Sequence, residues 1–183
     1  SFAQNIDKLI SVKEVERIEK ILSSDSLKGR KPFTPGIEMA AGFITGEFKK
    51  SKLDYFPGLT SFRQPFTVYR TKFISATATL NDTALSQDNI IAITTSPLLQ
   101  VNQASSYTKL RIDSSLDLMK EASRLLKEKK NYVIFVDSFH ANNFPKLKRF
   151  KREGFKMNNS VIFVLTNMNP LKFTFEIKHE ITE

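Results

Sequence analysis

The chain carries two histidines, His140 and His179, and no cysteine, so the chemistry open to it is narrow. Thiol nucleophiles, disulfides and every cysteine-ligated zinc site are excluded. Asp137-Ser-Phe-His140 places a carboxylate three residues before an imidazole, which could supply a metal pair or an acid–base couple. One histidine beside one loop aspartate falls short of either, because loop aspartates and serines usually bond to turn backbone. His179 lies on the apolar side of an alternating segment, which predicts a packed or edge histidine rather than a ligand. Ser23-Ser24-Asp25-Ser26 offers hydroxyls, yet no histidine lies near to activate them, and these side chains suit a helix end. Gly29-Arg30 and Thr34-Pro35-Gly36 suggest an anion site at a helix N-terminus, without the lysine–serine pattern of a phosphate-binding loop. No catalytic, cofactor-binding or metal-binding residue is assigned from these patterns.

The elements that would position these residues can be read from spacing. Ser11-Val-Lys-Glu14 reads as a capping box, followed by Val12, Val15, Ile18, Ile21 and Leu22 at helical intervals. Gly29 and Pro32 mark an irregular loop. Thr34 then reads as an N-cap with Pro35 in the first turn, before an apolar stripe of Ile37, Ala40, Ala41, Ile44 and Phe48. Gly42 and Gly46 weaken this helix or permit close packing against it. From Tyr55 the texture becomes β-rich, with strands expected at Phe66–Tyr69, Phe73–Leu80, Ile90–Thr94 and Tyr107–Ile112 and a turn at Asn81-Asp82. A helix opening at Ser114 carries Leu118, Ala122, Leu125 and Leu126. Two continuous apolar runs, Tyr132–Val136 and Val161–Leu165, predict strands buried on both faces. A basic helix, roughly Phe144 to Arg152 and closed by Glu153-Gly154, joins them. Strand, helix and strand at this spacing predict a βαβ unit with the two strands parallel. Phe173, Phe175, Ile177, His179 and Ile181 alternate with polar residues, as in a half-buried strand. The segments around 66–80 and 171–183 are expected to run side by side and antiparallel. The fold class is α/β (α+β), with N-terminal helices before a mixed sheet and flanking helices.

Lys and Arg number 28 against 19 Asp and Glu, a net charge of +9. The densest basic run is Lys146, Lys148, Arg149, Lys151, Arg152 and Lys156, interrupted only by Glu153. Phe144, Leu147 and Phe150 give that segment an apolar stripe, so it should pack on a sheet and show its lysines to solvent. Base stacking would want the aromatics exposed, which disfavours nucleic-acid binding. No apolar stretch approaches the roughly 20 residues of a membrane-spanning helix. Ser1-Phe2-Ala3, with Gln4 following, has small residues where a signal-peptidase site needs them, which points to an exported protein.

Leu22-Ser-Ser-Asp25-Ser-Leu27-Lys-Gly29-Arg30, Thr34-Pro35-Gly36, Ala40-Ala41-Gly-Phe43-Ile44 and Phe48 together resemble the opening of metallopeptidase family 28. These are the co-catalytic zinc exopeptidases that include aminopeptidase Y and are related to glutamate carboxypeptidase. The likeness covers about residues 11–70, with Gln64-Pro-Phe66-Thr-Val68 in the tract that leads into the catalytic sheet. Lys31-Pro32-Phe33 stands where the family usually has a glycine before the threonine. The second half resembles the protease-associated domain that many members insert, on Tyr132–Asp137, Phe144, Lys148, Gly154 and Val161–Asn167. The resemblance implies two parts: residues 1–64, helices that pack on a peptidase domain, and residues 65–183, a protease-associated-like α/β domain.

The family's zinc site begins with a His-x-Asp signature followed by a Glu-Glu pair, and neither occurs in this chain. No catalytic residue carries over, so the chain by itself is not read as an enzyme and no cofactor is expected in it. Zinc is expected only in a downstream catalytic domain. The partners implied are that peptidase domain in cis and the peptide or protein substrates of a parent zinc-dependent aminopeptidase. The reading is a non-catalytic portion of an exported aminopeptidase-like protein that shapes substrate access or partner contacts. The alternatives are a stand-alone protein-interaction module of the same fold and a basic nucleic-acid-binding protein.

Overall fold

The computed structural model describes residues 11–151 and 154–183 of the 183-residue chain. The export reading of Ser1-Phe2-Ala3-Gln4 and the Arg152 and Glu153 end of the basic run lie outside the described residues. The chain divides into two compact units, Ser1–Phe66 and Thr67–Glu183. Among the described residues no helix is long and apolar enough to cross a membrane.

In the first unit, helix α1 (Val12–Leu22) leads through a 3-10 turn (Asp25–Arg30) into helix α2 (Pro35–Lys50). The capping box at Ser11 does not form: the Ser11 side chain makes no cap bond. Only its carbonyl accepts, from Glu14 N at 3.0 Å and Val15 N at 3.1 Å. The Glu14 carboxylate turns instead to Arg17 one turn on, with Nε donating at 3.0 Å. A charge-assisted bond to guanidinium outcompetes a neutral backbone donor. Arg17 also reaches Glu47 of α2 at 2.6 Å. Thr34 is the N-cap of α2 in backbone conformation, but its hydroxyl donates to Lys31 O at 2.6 Å rather than capping. Gly36 is required here, since a Cβ would lie 2.1 Å from the Leu27 carbonyl oxygen. Gly46, by contrast, has nothing within 4 Å.

The second unit has three layers. The first sheet has the order β2 (Thr83–Ala84), β1 (Arg70–Leu80), β8 (Phe173–Thr182), β4 (Leu98–Asn102), all antiparallel. The second has the order β3 (Ile90–Ile93), β7 (Val161–Leu165), β6 (Tyr132–Val136), β5 (Thr108–Ile112). In it β5, β6 and β7 are mutually parallel and β3 is antiparallel to β7. Helix α3 (Leu118–Lys127) and a 3-10 segment (Phe144–Phe150) form the third layer.

The parallel pair β6/β7 and the antiparallel pair β1/β8 both stand as the sequence spacing predicts. One face of the second sheet meets the first sheet through Val133, Phe135, Ile162 and Val164 against Ala76, Ala78, Phe173 and Phe175. The other face meets the third layer through Ile134, Val136 and Phe163 against Ala122, Leu125, Phe144 and Leu147. A sheet covered on both sides explains why β6 and β7 are unbroken apolar runs. In β1 the register shifts between Phe73 and Ser75, and Ile74 is the exposed extra residue. That bulge lets Phe73 and Ala76 face the same way despite their odd spacing.

Beyond shifts of one to three residues at strand ends, some elements differ from expectation. Phe66–Tyr69 is not a strand; only Tyr69 pairs, with Gly154. The helix begins at Leu118, not Ser114. The Asp117 carboxylate caps it by accepting from Lys120 N at 2.9 Å, while Asp113 holds Ser115 in the preceding turn. The basic connection is a 3-10 segment rather than an α-helix. Its apolar residues recur every third position, which is the 3-10 period and not the 3.6-residue α period.

Candidate functional site

The carboxyl ends of β5, β6 and β7 bring together most of the polar residues that could do chemistry. Asp113 follows β5, Asp137 follows β6 and Thr166 and Asn167 follow β7. Open parallel sheets bind ligands at such ends where the strand order reverses. Here the order runs β5, β6, β7 without reversal.

The side chains at this edge are committed to one another. Asp137 Oδ1 accepts from Phe139 N at 2.9 Å, and Oδ2 meets Arg111 Nη2 at 3.4 Å. Arg111 also donates to Thr166 O at 3.2 Å, Met168 O at 3.0 Å and Asn169 Oδ1 at 3.2 Å. Asn167 Oδ1 accepts from Ser138 N at 2.9 Å while its Nδ2 donates to Ser138 Oγ at 2.6 Å. His140 is 4% exposed, and its Nε2 lies 2.8 Å from Asp113 O. A carbonyl oxygen only accepts, so Nε2 carries the proton and the imidazole is anchored as a donor. Hydrogen bonds from Ser115, foremost, hold the Asp113 carboxyl below its usual range, with Arg111 and His140 adding to the effect.

Asp137 and His140 are therefore brought into one neighbourhood, but each is spent on turn geometry. Arg111 and Asn167, which hold this edge, carry no local sequence signal. They become meaningful only once β5 and β7 flank β6.

His179 sits on β8 opposite Phe73, 4% exposed, and among the described residues neither ring nitrogen has a hydrogen-bond partner. Burial foremost, and then the nearby Lys151 ammonium, push its imidazole down to about 4. Lys151 Nζ lies 5.1 Å from the Phe73 ring centroid, and Phe73 meets His179 edge-on at 6.0 Å. Burial and Lys148 push Lys151 down to about 8. An imidazole in apolar packing beside an ammonium does not fit a cation ligand. It is the packed histidine that alternation implies.

The remaining candidates are structural too. Ser24 Oγ donates to Ile21 O at 2.8 Å and lies 2.7 Å from Ser26 Oγ, closing the end of α1. In the basic segment Phe144 and Leu147 are buried while Lys146, Lys148 and Arg149 face solvent. Among the described residues, no three His, Asp or Glu side chains are grouped to hold a metal ion. No protein-family model, curated protein or solved structure matches the chain.

Proposed function

We propose that this chain is the non-catalytic N-terminal portion of an exported zinc aminopeptidase-like protein. In this reading the helical unit packs on a peptidase domain, and the three-layer unit shapes substrate access or partner contacts there. The observation that carries it is the bareness of the helices. Helix α1 buries no residue, and α2 buries only Gly36 and Ala40. Val12 and Val15 of α1 and Met39, Ile44 and Phe48 of α2 are exposed. Amphipathic helices that leave their apolar faces open are surfaces awaiting a cover. The pairing of β1 with β8 supports the second half of the reading, because an inserted domain must bring its entry and exit strands together.

A stand-alone interaction module is the second reading. The three-layer unit favours it by closing two cores of its own. The reading frame beyond Glu183 discriminates between them. A His-x-Asp and a Glu-Glu encoded there, with chelator-sensitive aminoacyl-anilide hydrolysis by the extended protein, support the peptidase reading. Their absence leaves the module.

A further inference from the structure

Among the described residues the two sheets end in four edge strands, β2, β4, β3 and β5. An edge strand offers unpaired backbone groups to any strand that approaches, and proteins blunt it with charge, shortness, a bulge or a cover. Three of these edges are blunted. Strand β2 is two residues long, and the stretch of β1 beyond it carries Lys72 and the bulge at Ile74. All four residues of β3 are buried, and β5 carries Lys109 and Arg111. Strand β4 has no such device: Leu98–Asn102 is an uncharged run of five that alternates exposed and buried.

The register shows which groups are open there. His179 N donates to Pro97 O at 2.8 Å. Pro97 therefore turns its backbone toward β8, and by alternation so do Leu99 and Val101. The N–H that Pro97 lacks belongs to the paired side and does not blunt the other. Leu98, Gln100 and Asn102 turn their backbone groups outward. Asn102 N donates to Ser105 Oγ at 2.9 Å, and Leu98 O accepts from Ser96 Oγ at 2.8 Å, so the two ends are partly closed. Among the described residues, Leu98 N and both backbone groups of Gln100 have no hydrogen-bond partner.

We propose that two copies of this chain pair through β4, antiparallel about a two-fold axis at Gln100, which joins their outer sheets into one. Each Gln100 exchanges both backbone bonds with its counterpart. Each Leu98 N–H donates to the Asn102 carbonyl of the second copy, which keeps a lone pair beside its bond from Ser105 N. On the outer face Leu98 meets Asn102 and Gln100 meets Gln100, and on the inner face Leu99 meets Val101 as an apolar cross-strand pair. Charge and symmetry decide the occupant. No charged residue lies on β4, and the next row, on β8, is a closed ion pair of Lys178 with Glu176 at 3.0 Å. A second copy thus brings no like charge onto the edge, and salt screens the longer-range repulsion between two chains of net charge +9. The inference uses only residues of the second unit and stands apart from the peptidase reading.

The test is sedimentation equilibrium of the full 183-residue chain at physiological salt. Five paired residues make a small interface, so the mass should climb from monomer toward dimer between roughly 10 µM and 1 mM. Gln100→Pro removes the donor at the axis, and an outward N–H on an edge strand is where proline is tolerated. Leu98→Lys sets a charge at each end of the pairing. Each should weaken the dimer about ten-fold or more. Leu98 is exposed, so thermal unfolding of Leu98→Lys should match the parent, and that variant decides the matter if Gln100→Pro folds poorly. Amide exchange locates the contact: the Leu98 and Gln100 amides should slow as concentration rises, while Leu99 and Val101 stay slow throughout. The proposal is overturned by a monomer at every concentration, by a dimer that survives Leu98→Lys, or by a Gln100 amide that exchanges equally fast in monomer and dimer.

Discussion

Acidification from neutral pH should destabilise the second unit through one side chain, His179. Its imidazole is neutral in the folded protein because burial, and then Lys151, depress it from 6.5 to about 4. In the unfolded chain it takes up a proton near its ordinary value. Below about pH 6.5 the unfolded state therefore binds the extra proton, and stability falls as pH falls until the folded pKa is reached. The depression, at about 1.4 kcal/mol per pKa unit, is worth about 3 kcal/mol by pH 4. At 4% exposure solvent does little to reduce it. Lys151 is the charged group that faces the ring, and it stays protonated throughout this window. The carboxylates held below their usual range, Glu128 and Glu176 among them, begin to contribute only below about pH 4.5. Urea unfolding followed by circular dichroism between about pH 7 and 5 thus isolates the imidazole. The variant His179→Leu should flatten that slope and gain about 1 kcal/mol at neutral pH, since it removes two unsatisfied nitrogens from the packing. An unchanged slope in the variant, or a loss of more than about 2 kcal/mol at neutral pH, would refute the reasoning, because it would mean the ring has a partner.

Gly36→Ala should destabilise the helical unit by about 2 kcal/mol or more, because the new methyl meets the Leu27 carbonyl, which belongs to backbone and cannot rotate aside. Loss of helical signal on mild heating would show it, whereas Gly46→Ala should be neutral or stabilising. Arg111→Met should cost about 1 kcal/mol in chemical denaturation, since it removes the donor to the part-buried Asp137 carboxylate and Thr166 carbonyl while the other two acceptors are open to water. Isothermal titration of the 183-residue chain with zinc should show no stoichiometric uptake, and aminoacyl-anilides should not be hydrolysed in a metal-dependent way. Tight binding with chelator-sensitive turnover would sink the non-catalytic reading.

The strands were legible wherever burial alone sets the pattern. Tyr132–Val136 and Val161–Leu165 read as doubly covered strands, and β8 read as half-covered from its alternation, because those patterns depend on the environment of each face. The basic connection shows its inward residues in the sequence, and the three-residue spacing of Phe144, Leu147 and Phe150 is that of the 3-10 segment rather than of an α-helix. Strand β4 has no clear sequence signal, since Gln100 and Asn102 dilute a short run and only pairing with β8 defines it. Polar positions were harder still. At Ser11 the Glu14 N–H goes to the serine's own carbonyl, and the Glu14 carboxylate is taken by Arg17, so neither half of the capping box forms. The role of Arg111 rests on Asp137, Thr166, Met168 and Asn169, residues far along the chain that local spacing cannot connect to it.

The pairing of β1 with β8 has a mechanical consequence. Arg70 lies opposite Thr182 at one end of the pair, and Leu80 opposite Phe173 at the other. The chain thus enters and leaves the second unit at the same end of one antiparallel ladder. Inter-strand hydrogen bonds in such a ladder lie across the strands. Tension applied through the two flanks would therefore load the rungs one at a time from the Arg70 end, like a zipper. It would not shear them all together. The outer sheet would peel first and at low force, while the sheet of β3, β7, β6 and β5, which lies outside that line of pull, would keep its own layer of helices.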